Sequence, residues 1–459
     1  MGKLNNTIAK SDRSRIEDFI TKVMEEDDLP GIGISIVSGS DTVYTNGFGA
    51  RNLTTNAPVT ENTLFGLGST TKSFTALGIM RLVDEGKLEL DDPVTDYLPI
   101  ECDRDVTVHH LLTHTSGAPS NGMANVLLSR LTGVGDSSVP MSDMEDFYTF
   151  INGTFPDEVV AEPGERFFYY ATGFTLLGEI IEEVTDQQYS NFMEKSVLDP
   201  LEMERSTFNR KHFDATEDRM TPYIKSESGF EERPYPLHKL TEATGGLVAS
   251  PIELANYVNV QMNKGIFGDD QLLSTAVAEQ MHIPHTETQG DYGQYGYGWM
   301  IREFLDDTLV SHSGDSAVGT ASIGFLEDAQ IGVTLTCNTS PGYRLGYLLQ
   351  GVLAILQGET PREVVPLFKT RKQLDKLTGN YESYRGIKDA EVIRNGGSLE
   401  VTMSSILGSN TVTLQPLRKE NNCHEFEMAT ETGDRAVVEF VETDSGIEMI
   451  QDRFVLHSI

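Results

Sequence analysis

Apolar side chains recur every three or four positions in residues 11–26 and again in residues 71–86. This spacing places them on one face of a helix, so both segments are predicted helices, the second ending at Gly86. Between them, the β-rich runs 31–37 and 42–44 are separated by Ser-Gly-Ser-Asp, which is the composition of a hairpin turn. A helix followed by a hairpin is typical of a domain that packs helices on a sheet.

Helical patterns occupy the middle of the chain, and further β-type runs come after it. Residues 91–242 mix helical stretches with loops rich in Gly, Asp, Ser and Pro, which indicates an insertion packed beside the sheet. The β-type runs 321–326 and 331–337 precede an apolar helix candidate at 345–356. We therefore predict an α+β domain whose antiparallel sheet is built from both ends of the domain and is flanked by helices.

The amino-acid composition changes near residue 359, where basic residues become concentrated in an otherwise acidic sequence. We interpret 359–376 as a linker between a large domain, 1–358, and a small one, 377–459. The small domain shows repeated short β-type runs broken by turns rich in Gly and Asn. Strands at such close intervals predict a small antiparallel β-barrel or sandwich.

The net charge of the chain limits the classes of partner that it can bind. The chain carries 70 acidic and 35 basic residues, a formal net charge of −35 at pH 7. A field of that sign repels phosphate backbones and anionic membrane surfaces, so we expect neither nucleic acid nor membrane as a partner. We interpret the excess as an adaptation to high salt, where screening weakens self-repulsion, with an ordinary acidic cytoplasmic protein as the alternative.

Three cysteines far apart along 459 residues build no disulfide framework and no thiolate metal cluster. Residues 1–17 contain no apolar run that would read as a secretory signal. The most apolar uncharged stretch, 345–358, is shorter than the ~18 residues that a membrane span needs. We expect a cytoplasmic protein with no membrane segment.

The candidate chemistry lies at the start of the second predicted helix, where Ser69 is followed three residues later by Lys72. One helical turn brings the two side chains to the same face. A serine hydroxyl needs a base to become a nucleophile, and a lysine kept away from water can lose its proton and serve as that base. Ser-x-x-Lys by itself is a weak signal, because any helix start followed by a surface lysine fits it.

The surrounding sequence makes the signal specific. Six segments follow one another in a fixed order between residues 30 and 338: Thr63-Leu-Phe-Gly-Leu-Gly-Ser-Thr-Thr-Lys, Val106-Thr-Val-His-His-Leu-Leu-Thr-His-Thr-Ser-Gly, Pro163-Gly-Glu-Arg-Phe-Phe-Tyr-Tyr-Ala-Thr-Gly, Gly245-Gly-Leu-Val-Ala-Ser, Tyr295-Gly-Tyr-Gly-Trp and His312-Ser-Gly. In this order they resemble the serine β-lactamase and penicillin-binding-protein superfamily, particularly class C β-lactamases and their esterase and peptidase relatives.

The resemblance implies roles for individual residues. Ser69 would be the acylated nucleophile, Lys72 its partner in proton transfer, and Tyr169 the tyrosine of the family's Tyr-x-Asn motif. A lysine ammonium nearby would push Tyr169 toward phenolate. The family's asparagine is replaced here by Ala171, which puts substrate geometry and β-lactamase efficiency in doubt.

The segment His312, Ser313, Gly314 and Asp315 resembles the family's third motif on the strand that edges the cleft. The Asp315 N–H would then join the Ser69 N–H in an oxyanion hole, and His312 would favour an anionic or carbonyl-rich substrate end. The alternative is a simple turn leaving a strand.

The resemblance also implies a β-lactamase/transpeptidase-like fold with a lipocalin-like C-terminal barrel. The expected activity is that of a serine hydrolase that works through an acyl-enzyme on a small molecule or short peptide. Peptidase on small peptides or amides, including D-amino-acid peptides, comes first, with carboxylesterase and β-lactamase as alternatives and a non-catalytic binding protein as the alternative from another class. Relatives with such a barrel assemble into closed compartments, so a homo-oligomer is a further expectation.

We expect no metal or organic cofactor. His110 and His114 have the spacing of zinc-binding helices, but the glutamate of His-Glu-x-x-His is missing between them.

Overall fold

The computed structural model describes residues 8–120, 122–134, 141–290, 292–405, 408–429 and 435–459. The chain divides into two compact units, Met1–Leu356 and Gln357–Ile459. The α-helices described in the first unit are α1 (Lys10–Asp27), α2 (Thr71–Asp84), α3 (Val108–Leu112), α4 (Met123–Thr132), α5 (Met144–Glu158), α6 (Ala171–Thr185), α7 (Tyr189–Met193), α8 (Arg210–Ala215), α9 (Glu242–Gly245), α10 (Pro251–Met262), α11 (Thr275–His282) and α12 (Gly346–Leu356).

The strands described in the first unit are β1 (Gly31–Ser38), β2 (Asp41–Asn52), β3 (Ala57–Pro58), β4 (Phe65–Gly66), β5 (Tyr223–Ser226), β6 (Gly229–Glu232), β7 (Val248–Ala249), β8 (Ile266–Phe267), β9 (Asp270–Gln271), β10 (Thr286–Glu287), β11 (Gln294–Tyr295), β12 (Met300–Phe304), β13 (Asp307–Asp315), β14 (Thr320–Leu326) and β15 (Ile331–Cys337). Nine of them form one antiparallel sheet in the order β10-β11-β12-β13-β14-β15-β1-β2-β3, and three short two-stranded sheets lie beside it.

The predicted sheet from both ends of the domain is confirmed. Strand β1 pairs with β15, so that Ile32 lies opposite Cys337, and the hairpin β1–β2 follows the first helix as the sequence indicates. Strand β14 is buried along its whole length and β1 at all but its last residue, because helices cover both faces of the sheet. Helices α10 and α12 pack directly on its central strands.

Helix α2 departs from the pattern that predicted it. Its apolar spacing indicated burial on one face, but every residue from Thr71 to Met80 is buried. The helix is surrounded because α6, α9 and α11 all pack against it. Polar residues such as Ser73 and Thr75 tolerate this burial because their hydroxyls donate to nearby backbone carbonyls, Thr70 and Ala243 respectively. The helix that follows the candidate serine is therefore enclosed by its neighbours on all sides.

The second unit contains the helices α13 (Pro361–Val364) and α14 (Pro366–Asp375), which lie within the segment interpreted as a linker. Its strands are β16 (Gly379–Glu382), β17 (Asp389–Asn395), β18 (Ser398–Ser405), β19 (Gly408–Glu420), β20 (Cys423–Ala429), β21 (Arg435–Thr443), β22 (Gly446–Gln451) and β23 (Phe454–Ser458). They form a closed antiparallel barrel in chain order, in which β16 pairs with β23. The predicted small C-terminal barrel is confirmed.

Across the described ranges, no helix combines the length and the apolar character that crossing a bilayer requires.

Candidate active site

Ser69 lies in a single 3₁₀ turn, Gly68–Thr70, that leads directly into α2. The turn depends on Gly68, which has φ of 51°, a conformation that costs other residues energy. A Cβ at this position would also come within 2.8 Å of the Asp315 nitrogen on β13. The close approach places Ser69, which is half-buried, at the junction of the central helix and the sheet.

Lys72 is brought to Ser69 by the helical spacing that the sequence predicts. Its Nζ lies 3.1 Å from the Ser69 Oγ and donates a hydrogen bond to the Thr244 carbonyl at 2.9 Å. The side chain is only 1% exposed, and this burial lowers the pKa of Lys72 to about 7. A large share of the lysine is therefore neutral near neutral pH and able to accept a proton.

Tyr169 completes the cluster. Its hydroxyl hydrogen-bonds the Ser69 side chain, and the Lys72 Nζ lies 5.2 Å from the centre of its ring. The Tyr169 side chain is 38% exposed, but its hydroxyl lies deep in the cleft, and burial of this hydroxyl raises its pKa to about 12. The expected push toward phenolate is absent, because burial outweighs it and the Lys72 Nζ faces the ring rather than the hydroxyl. Tyr169 is therefore a phenol in the resting site.

His114 holds Tyr169 in place. It lies beyond the end of α3 with φ of 59°, where its Nδ1 accepts a hydrogen bond from the Tyr170 N–H at 3.0 Å. Its ring packs against the ring of Tyr169 with centroids 4.3 Å apart. Burial lowers the pKa of His114 well below its ordinary value, so the ring is neutral. Because His114 and His110 do not share a helix, the zinc-like spacing between them brings no zinc geometry, and the described residues contain no group of three or more metal-ligating side chains.

The segment His312 to Asp315 forms the end of β13 and lies directly beside Ser69. Gly314 makes this contact possible, because a Cβ there would lie 2.0 Å from the Leu67 carbonyl oxygen and 2.5 Å from the Ser69 nitrogen. The backbone nitrogens of Ser69 and Asp315 thus belong to adjoining segments. The segment is a strand paired with β14 rather than a free turn. Ser313 borders the same cleft as Ser69, and its hydroxyl lies 2.9 Å from that of Ser322.

His312 does not supply the positive charge that would attract an anionic substrate end. It is 4% exposed, its Nε2 is 3.1 Å from the Tyr295 hydroxyl, and burial lowers its pKa to about 3. Its ring is therefore neutral and acts only as a hydrogen-bonding group.

Arg302 and Arg344 carry the positive charge of the cleft. Both line a cavity of about 810 Å³ that also contacts Ser69, Tyr169 and His312. Arg344 lies over the Tyr292 ring at 4.1 Å, and neither arginine has an ion pair with a carboxylate of the described residues. The Arg302 Nε is buried without a hydrogen-bond partner, and burial lowers its pKa. The cavity lining thus has two guanidinium groups, neither of them in an ion pair with a described carboxylate, against the single carboxylate of Asp315, which makes it suited to an anionic group.

Five residues of the site were missed by sequence reasoning: Thr244, Tyr295, Arg302, Arg344 and, as a positioning group, His114. Tyr295 and His114 lie inside recognised segments, so their neighbourhood was visible but their contacts were not. The two arginines give no local signal, since they join the cleft from a strand and from the loop before α12. The Thr244 group is a backbone carbonyl, which no side-chain pattern indicates.

Comparison with known proteins identifies the family of each part of the chain. The Beta-lactamase family model matches residues 16–351, and the Pab87 octamerisation domain matches residues 361–457. The octameric penicillin-binding protein homologue from Pyrococcus abyssi has 36% sequence identity, with 97% of this chain and 99% of that chain covered and a TM-score of 0.89.

Two further relatives are more distant. Penicillin-binding protein 4* of Bacillus subtilis (strain 168) is 29% identical over 391 residues, which cover 79% of this chain and 80% of that protein. Protein flp of Staphylococcus aureus (strain COL) is 25% identical over 313 residues, or 67% of this chain. The chain spans only 59% of the length of that relative. The family match covers well over half of the chain, and the chain therefore belongs to the β-lactamase family, whose members are serine hydrolases.

Proposed function

We propose that this chain is a serine peptidase that cleaves small peptides or amides, including those with D-amino acids, through an acyl-enzyme on Ser69. The observation that carries the proposal is the 3.1 Å approach of the Lys72 Nζ to the Ser69 Oγ, together with the burial that lowers the lysine pKa to about 7. A nucleophile and a base in hydrogen-bond reach, with the base held neutral, are what acyl transfer needs.

In acylation, the Ser69 Oγ attacks the substrate carbonyl carbon as its proton passes to the Lys72 Nζ. The Thr244 carbonyl accepts a hydrogen bond from the amine, which leaves the lone pair of the Lys72 nitrogen free to face the serine. The negative charge that develops on the carbonyl oxygen would be stabilised by the Ser69 and Asp315 N–H groups, which lie on the touching segments before α2 and at the end of β13.

Tyr169 is the proton donor to the leaving group. As a phenol with a pKa of about 12, it gives its proton to the departing amine nitrogen as the carbon–nitrogen bond breaks, and it regains a proton from Lys72. In deacylation the sequence is reversed with water. The water gives one proton to the neutral Lys72 amine as its oxygen attacks the ester carbonyl, and Lys72 returns that proton to the Ser69 Oγ as the bond between this oxygen and the acyl carbon breaks.

The cleft points to a substrate whose leaving end is anionic. Tyr169, Arg302 and Arg344 line the same cavity of about 810 Å³, so the group that Tyr169 protonates lies on the side of the two arginines. A peptide with a free C-terminal carboxylate has that charge on the amine that departs. Charge-assisted hydrogen bonds to a guanidinium are among the stronger polar contacts in proteins.

Covalent labelling tests the enzyme proposal. Incubation with a fluorescent fluorophosphonate should label the wild-type chain and leave Ser69→Ala unlabelled. Ser73→Ala is the matched control, since Ser73 is buried in α2 and its hydroxyl bonds the Thr70 carbonyl and the Tyr257 side chain. Absence of label on the wild type would favour a non-catalytic binding protein. Turnover of D-alanyl and L-alanyl amides beside short p-nitrophenyl esters then separates peptidase from carboxylesterase, and failure on every amide would remove the peptidase.

Carboxylesterase is the second candidate. Ester cleavage releases an alcohol, a better leaving group than an amine, and therefore depends less on the acid role of Tyr169. Ala171, in place of the family's asparagine, weighs against efficient β-lactamase activity because it offers no amide to the substrate.

We also propose a homo-oligomer formed through the second unit. The match to an octamerisation domain and the likeness to an octameric homologue support it, and the barrel carries exposed Tyr384 and Ile387, 75% and 69% accessible. Large exposed apolar side chains favour association. Light scattering should give a mass several times that of the monomer, and Ile387→Lys should lower the measured mass.

The three free thiols fit a reducing, intracellular setting.

A further inference from the structure

Two cavities meet at Ser69. The large cleft contains Tyr169, His312 and the two arginines, whereas a second cavity of about 60 Å³ is lined by Lys72 and Ala171. Ser69 and Asp315 border both. A carbonyl group attacked by Ser69 would therefore extend one substituent into each space.

The chemistry decides which substituent enters which cavity. Tyr169, the proposed proton donor for the leaving group, borders the large cleft and is absent from the lining of the small cavity. The departing amine or alcohol is thus directed to the large cleft. The acyl group, which stays on Ser69, is left with the small cavity.

The small cavity offers an apolar surface. Met123, Leu127 and Leu240 line it from α4 and from the segment before α9, each at most 3% exposed. The hydroxyl groups of three of its four threonines donate to backbone carbonyls: Thr175 to Leu240, Thr241 to Pro236 and Thr244 to Thr241. With its polar donors satisfied, the cavity gains nothing from a polar occupant and favours an alkyl group.

Ala171 sets the size of this cavity. It is the first residue of α6 and lines the space with its methyl group, where a larger or polar side chain would fill it. A water molecule takes ~30 Å³ in the liquid, so the cavity has room for a group of about two to three heavy atoms.

We propose that Ala171 and the apolar side chains facing it from α4 form a subsite for a short alkyl group of the acyl donor, the size of an alanine to valine side chain. The inference rests on the proposed acyl-enzyme at Ser69. An alkyl occupant also displaces water from the lining that includes Lys72, which preserves the burial that keeps this amine neutral.

Hydrolysis of p-nitrophenyl esters with acetyl, propionyl, butyryl and hexanoyl groups tests the subsite, because the leaving group stays constant. In the wild type, kcat/KM should rise about fourfold per methylene, the equivalent of ~0.8 kcal/mol, as far as butyryl and fall at hexanoyl. Ala171→Leu should move the optimum to acetyl, and Ala171→Gly should move it to a longer chain. Leu128→Phe, which narrows the cavity from α4, should act like Ala171→Leu.

Stoichiometric labelling by a small fluorophosphonate shows that each variant is folded and active. If all labelled variants keep the wild-type chain-length profile, the subsite is refuted while the serine hydrolase stands. If the wild type takes up no label, the acyl-enzyme itself is refuted and the subsite with it.

Discussion

A carboxylate placed beside Lys72 should move the pH dependence of the reaction upward. Ala171 shares the small cavity with Lys72, so Ala171→Asp would bring a negative charge close to the amine, while Ala171→Asn supplies a side chain of nearly equal shape without the charge. The negative charge stabilises the protonated lysine and so raises its pKa, which keeps the base occupied by a proton at neutral pH.

The magnitude follows from the environment of the lysine. With its ordinary pKa of 10.5, only ~0.03% of Lys72 would be neutral at pH 7, whereas a pKa of about 7 leaves about half of it neutral. A charge ~6 Å away in a medium of effective dielectric ~20 contributes ~3 kcal/mol, or ~2 pH units. The aspartate variant should therefore become active only near pH 9.

The assay is kcat/KM for p-nitrophenyl acetate between pH 5 and 10, which reports the free enzyme. The lysine is active when deprotonated, so activity should rise with pH through about 7 in the wild type, remain near 7 in Ala171→Asn and rise near 9 in Ala171→Asp. Coincident profiles for the two variants, or a wild-type limb near 10, would refute the view that a dry lysine is the base.

Three other outcomes follow from the structure. Arg344→Gln should raise KM about 10- to 100-fold for a peptide with a free C-terminal carboxylate, but should leave KM unchanged for the same peptide with a C-terminal amide. The control, Arg13→Gln on the exposed face of α1, should leave KM unchanged for both peptides. His114→Phe removes the acceptor for the Tyr170 N–H and should lower kcat about 10- to 100-fold with little change in KM, and His114→Gln should restore part of it; equal losses in both would deny a positioning role. The melting temperature should rise between 0.1 and 2 M KCl, as the screening length falls from ~10 Å to under ~3 Å, and indifference to salt would end the halophile interpretation.

The fold could be predicted from the sequence in two situations: where burial makes apolar residues recur at regular intervals, and where turn residues separate successive strands. The hairpin β1–β2, the strands β14 and β15 and the six barrel strands β17 to β22 occupy segments with β-type composition between turn residues, whereas the two strands that close the barrel, β16 and β23, were not predicted. The full burial of α2 was not predictable from its own pattern. It results from three other helices packing around it, and two of its polar side chains, those of Lys72 and Thr75, donate to backbone carbonyls that are distant in sequence.

Only part of the site could be predicted from the sequence, again because contacts between distant segments decide the rest. The three-residue spacing of Ser69 and Lys72 fixes their proximity through helix geometry, and the resemblance supplied Tyr169. The charge states depend instead on how much protein surrounds each group. Burial makes His312 neutral and Tyr169 a phenol, and the cationic role passes to arginines that the sequence places 42 residues apart, at 302 and 344.

The pairing of β1 with β15 has a consequence for how the molecule comes into being. Strand β1 leaves the ribosome about 300 residues before the strand that lies beside it in the sheet, since Ile32 is opposite Cys337. Pairings so distant along the chain must close a very long loop, which slows folding. Until β15 is synthesised, the edge of β1 that later pairs with it has no partner strand. During this interval the chain is most exposed to binding by a chaperone or to association with another chain.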